Sequence, residues 1–162
     1  MPYTPTPIEI AAALSDVAYE IEQILGGLVT WAPTDPITHN ARLEALLLHT
    51  RVLLDFFEHS RREHDNVLAT DYEFSAASVP LDPKLRERLN KDLAHLTYSR
   101  QQRLGPAKGW NLKQLLTPLL ERCSQFADHV VATRLNSLPA DQQLRWRELA
   151  ASLKASWLGP AV

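Results

Sequence analysis

Apolar residues recur along this chain with a helical period, and five stretches stand out. From about Ile8 to Leu25, the positions Ile10, Leu14, Val17, Ile21, Ile24 and Leu28 fall on one stripe. The glycines and prolines of GGLVTWAPTDP then end it. A second helix is expected from about Ile37 to Arg62, with Leu43, Leu46, Leu47, Thr50, Leu53, Leu54 and Phe57 on its inner side. Ala45, Leu48, Val52 and Phe56 add apolar surface elsewhere, which suits a central helix or one that meets a second chain. Arg51 and Asp55 stand four apart on its polar line, the spacing of an ion pair.

The segment His64 to Pro83 holds no helical period and reads as a long loop with at most one short extended piece. Asp82 followed by Pro83 has the form of a helix start, a cap and then proline at the first helical position. The third helix should run from there to about Arg103 and stop at LGPAKG. Asn111 is placed to cap a fourth, about Leu112 to Asn136, whose stripe is Leu112, Leu115, Leu116, Leu119, Cys123, Phe126, Val130 and Val131. The fifth follows Pro139 and carries Trp146, Leu149, Ala150, Leu153 and Trp157 on one face. The expected fold is therefore an all-α bundle of about five helices, with one long loop (64–82) between the second and third. Residues 1–162 are expected to form a single domain with an extended segment at 1–7.

The cysteine count and the apolar run lengths narrow the setting. Cys123 is the single cysteine, so no internal disulfide can form, and its place in an apolar stripe makes it a packed thiol rather than a nucleophile. The chain begins without a basic, apolar leader and holds no apolar run of membrane-spanning length. A cytoplasmic protein without a membrane partner is expected.

Net charge is −2 overall, but its distribution is uneven. Between Asp82 and Lys113 eight lysines and arginines face three acids, a local charge of +5 that leaves −7 for the remainder. Such a segment suits an anionic partner. On a helical wheel, Leu85, Leu89, Leu93 and Leu96 form the inner stripe of the third helix, and His95 lies beside it. Arg88 is two turns before His95 on nearly the same line, and Lys84, Lys91 and Tyr98 share that flank. Cleavage of RNA needs a group that moves protons near neutrality and fixed cations for the charge developing on phosphate. Histidine and arginine have those properties. Tyrosine can stack on a base. A lone histidine beside an apolar stripe also serves as a plain hydrogen-bonded boundary residue, and both readings stand at this point.

The stretch RLNKDLAHLTYSR, Arg88 to Arg100, resembles the HEPN superfamily, all-α proteins of bacterial toxin–antitoxin and phage-defence systems. Their signature is an arginine, four to six residues and a histidine. Arg88, six residues and His95 match the loose form, with Leu89 where a polar residue is common. NKDLAH (Asn90 to His95) is similar to the core of some abortive-infection members, and ALLLHTRVLLDFF (Ala45 to Phe57) resembles a helix of bacterial proteins carrying the same stretch. The resemblance implies a homodimeric bundle with catalytic Arg88 and His95 at paired sites, cutting RNA without metal or other cofactor. In that scheme Lys84, Lys91, Tyr98 and Arg100 bind the substrate, and Asp92, Arg51 and Asp55 support the site. An antitoxin or other protein is a further expected partner.

Two other readings compete. One is a non-catalytic helical module that binds RNA or a protein. The other is a metal-binding bundle, for which Asp92 and His95 have carboxylate-x-x-histidine spacing and Glu58, His59, Glu63 and His64 cluster at a helix end. Histidines five apart point about 140° away from each other, so no metal ligand is assigned. Nucleophile-elbow and phosphate-loop patterns do not occur in the sequence.

Overall fold

Short polar side chains start four of the helices. In the computed structural model, which describes residues 3–29, 35–93 and 109–157, α1 (Pro7–Val29) opens on a reciprocal box. The Thr6 amide donates to Glu9 Oε2 at 2.7 Å, and the Glu9 amide donates to Thr6 Oγ1 at 3.3 Å. Asp35 caps α2 (Pro36–Glu58) by accepting from the amides of Ile37 and Thr38. Asp82 caps α3 (Pro83–Asp92) through the amides of Lys84 and Leu85, with Pro83 at the first position as expected. Asn111 accepts from the Gln114 amide at 3.0 Å and opens α4 (Leu112–Thr133). A 3₁₀ turn (Leu135–Ser137) leads to α5 (Ala140–Trp157). These helices make an all-α bundle, and the described residues contain no strand.

The helices pack as two main pairs, α1 with α2 and α4 with α5, joined by α1–α5 and α2–α4 contacts, while α3 leans on α2. Most positions of the expected stripes are buried, while Leu28 at the end of the first is exposed. Leu14, Val17, Ile21 and Ile24 of α1 meet Leu46, Leu47, Leu53, Leu54 and Phe57 of α2 and Leu115, Leu119, Cys123 and Val130 of α4 in one core. Burial also raises the pKa of the Cys123 thiol above its ordinary value. On the outer side of α2, Leu48 and Val52 remain 52% and 42% exposed.

Three boundaries differ from the periodicity. First, α1 continues through Gly26 and Gly27 to Val29. A Cβ at Gly27 would lie 3.4 Å from Leu46 Cδ1, so the glycine lets α2 come close. Second, α2 ends at Glu58 rather than near Arg62. Arg62 instead donates to the Asn66 carbonyl and pairs with Asp71 inside the loop, and those bonds replace further helix. Third, α4 ends at Thr133 and tightens into the 3₁₀ turn. The portion of the expected third helix beyond residue 93 lies outside the described residues.

The long connection between α2 and α3 belongs to the core. It winds into a 3₁₀ turn (Ala69–Tyr72) and buries Leu68, Ala69, Tyr72 and Val79. Tyr72 packs in an aromatic cluster with Phe56 and Phe126, and Phe126 also meets Phe57, Phe74 and Trp146. The Tyr72 hydroxyl donates to the Ile10 carbonyl of α1 at 3.0 Å. From α4, His129 Nε2 donates to the Tyr72 carbonyl at 2.7 Å. Arg122 of α4 lies 4.2 Å over the Phe74 ring and donates to the Ser75 carbonyl. The loop is thus bonded to α1 and α4 at once.

Candidate functional site

The basic segment begins on α3, where the sequence alternates leucine with charge. Leu85 and Leu89 turn inward and are buried, which leaves Lys84, Arg86, Arg88 and Lys91 to divide the remaining faces. Four different environments result. Lys84 is exposed at the first turn. Arg86 is drawn back onto α2, where its two terminal nitrogens meet the Glu58 carboxylate at 2.5 and 2.7 Å and one also reaches the Val79 carbonyl at 2.8 Å. Glu58 additionally accepts the Val79 amide at 2.7 Å. The hydrogen bonds that Arg86 donates to Glu58 hold it above its ordinary pKa. One of the eight positive charges is therefore neutralised by a residue 28 positions away.

Arg88 is half-buried. Its guanidinium lies 4.3 Å over the Trp110 ring, and Nη1 donates to the Gly109 carbonyl at 2.9 Å. The contact fastens α3 to the residues that precede α4. Lys91 reaches solvent and pairs with Glu87 one turn back at 2.7 Å, both side chains being more than half exposed. An exposed pair of this kind contributes only about 0.3–0.5 kcal/mol, so it leaves the ammonium open to exchange partners. Lys113, in the first turn of α4, is exposed as well. The expected site residues His95, Tyr98 and Arg100 lie outside the described residues, as does the side chain of Asp92.

Arg51 is half-buried on α2 and Asp55 is exposed, and no hydrogen bond or ion pair joins them. Asp55 instead stands at the edge of a cavity between α1, α2 and residues 66–68. Among the described residues no three histidine, cysteine or acidic side chains gather as a metal ligand set. Glu58, which the sequence groups with His59, Glu63 and His64, is engaged by Arg86 and the Val79 amide. No described helix is long and apolar enough to cross a membrane.

Trp110 is the residue of this region that sequence reasoning passed over. Its signal is slight, a lone tryptophan between a glycine and a helix cap in a basic stretch. Comparison of the chain with protein-family models, with curated proteins and with solved structures finds no match.

Proposed function

We propose that the protein is a HEPN-like helical module that targets RNA, with the α3 edge and the start of α4 as its contact surface. The observation that carries this reading is the arrangement around Arg88. A planar cation is stacked on an aromatic ring, and Lys84, Lys91 and Lys113 are exposed on the two elements that hold it. Arginine–aromatic platforms suit unstacked bases, and lysines suit the phosphates between them. Residues 82–113 carry the positive excess of the chain. In this reading Arg88 positions Trp110 as much as it meets phosphate, and Arg86 belongs to the scaffold.

The Arg88-x6-His95 spacing supports a catalytic form of the same reading. There His95 would take the 2′-hydroxyl proton or return one to the leaving oxygen, with a cation beside the phosphate. One histidine serves one transfer at a time, so this form calls for a homodimer that brings a second. Bacterial stress or phage defence, with an antitoxin as partner, is the setting that the resemblance supplies.

Fluorescence anisotropy with a single-stranded RNA of mixed sequence tests the surface. The Lys84→Glu, Lys91→Glu variant should bind at least about tenfold more weakly, and its log-affinity should depend less steeply on log salt by about 1.4, two phosphate contacts at 0.7 each. Unchanged affinity would exclude the α3 edge. His95→Ala separates the two forms: a ribonuclease loses turnover and keeps its affinity, whereas a passive module shows no turnover in the parent chain.

A further inference from the structure

The cavity between α1, α2 and residues 66–68 has about 310 Å³ of space, at the lower end of the range for small-ligand sites. Its walls are mainly apolar: Val17 from α1, Val52, Leu53 and Phe56 from α2, and Val67 and Leu68 from the loop. Three carboxylates also line it, Asp16 and Glu20 of α1 and Asp55 of α2, and among the described residues no lysine or arginine does. Glu20 is met by His49 Nδ1 at 2.7 Å. The Asp16 and Asp55 side chains are exposed, and among the described residues neither makes a hydrogen bond or an ion pair. The charge of Asp16 also reaches Arg145, which is clamped on Glu22 at 2.7 Å through two nitrogens.

The wall formed by the loop is set in advance. Arg62 binds both the Asn66 carbonyl and Asp71, and Asp71 in turn accepts the Leu68 amide at 2.9 Å. The Arg62 and Asp71 side chains are each only 13% exposed. Residues 66–68 are therefore held from both ends. A bound molecule would lose little to ordering the protein.

We propose that this cavity binds a small organic cation, an ammonium group carried on an apolar body. The body would displace water from Val17, Leu53 and Phe56, and the ammonium would sit between Asp16 and Asp55. A neutral molecule of the same shape gains the first term without the second, and an anion is repelled. The site is built from other helices than the basic edge and does not depend on RNA binding.

The test uses 2-phenylethylammonium chloride, with 2-phenylethanol as the neutral isostere and methylammonium as a cation lacking the body, each titrated into the full-length protein by calorimetry and amide chemical-shift mapping. The expected result is saturable binding of the amine at one site, at least about tenfold tighter than either control, with shifts centred on residues 13–20, 52–56 and 66–68. Asp16→Asn combined with Asp55→Asn should weaken the amine by a further tenfold or more at unchanged helicity and melting temperature, since both residues are exposed. Equal binding of the alcohol, undiminished binding to the double variant, shifts elsewhere or no saturation would each overturn the proposal.

Discussion

Glu58 shows how much one carboxylate can organise. It terminates α2, takes both prongs of Arg86 from α3 and accepts the Val79 amide from the loop, so three segments depend on it. Glu58→Gln keeps the shape but removes the charge, and the half-buried Arg86 loses its counterion. A loss of about 1–3 kcal/mol is expected, read as a lower urea midpoint at unchanged slope. Glu9 makes a second prediction. Bonds from the Thr6 amide, the Tyr3 hydroxyl and the Thr6 hydroxyl lower its carboxyl from 4.5 to about 2. A carboxyl with a depressed folded pKa contributes its stabilisation in full above the unfolded value, and that contribution fades as pH falls from about 4.5 through about 2. The side-chain carbonyl resonance of Glu9 should therefore titrate near pH 2, and Thr6→Ala should move the midpoint upward. A midpoint near 4.5 in the parent chain would show that the box at the start of α1 does not form.

At the scale of the helix, Gly26 and Gly27 divide two roles that look identical along the chain. Nothing lies within 4 Å of a Cβ built at Gly26, whereas one at Gly27 touches Leu46. Gly26→Ala should stabilise the fold by about 0.5–1 kcal/mol, by lowering backbone entropy in the unfolded chain. Gly27→Val should do the opposite, because its extra methyls have to enter the α1–α2 contact. Paired thermal melts distinguish them. The same residues explain what was legible beforehand. Helix starts at Pro83 and Leu112 depend on the residue just before them, which caps an amide two or three positions on, and inner stripes depend on period, so both are readable locally. Gly26 and Gly27 look like a helix end because propensity is local, whereas α1 runs on to Val29 with Gly27 packed against Leu46 of α2. Leu68, Tyr72 and Val79 gave no period to read, since a loop buries single residues rather than a face. The basic edge was legible as composition. Its use was not, because Arg86 reaches Glu58 and Arg88 reaches Gly109 and Trp110, both more than 20 positions distant.

Across the whole molecule, one aromatic ring ties together two other helices and the long loop. Phe126 of α4 lies within 6 Å of rings from α2, the loop and α5. Phe126→Ala should cost about 3–5 kcal/mol, a large part of the 5–15 kcal/mol typical of a domain, and chemical denaturation should reveal it as one cooperative transition shifted down. A similar dependence applies to the connection between α2 and α3. Because Tyr72 grips the backbone of α1 while His129 grips the backbone of Tyr72, this stretch behaves as a keystone rather than a tether. Replacing residues 66–81 by a flexible glycine–serine spacer of equal length should prevent assembly altogether, and a split of the chain there should yield halves that recombine poorly. The place that looks most permissive for inserting a reporter is thus among the least tolerant in the protein.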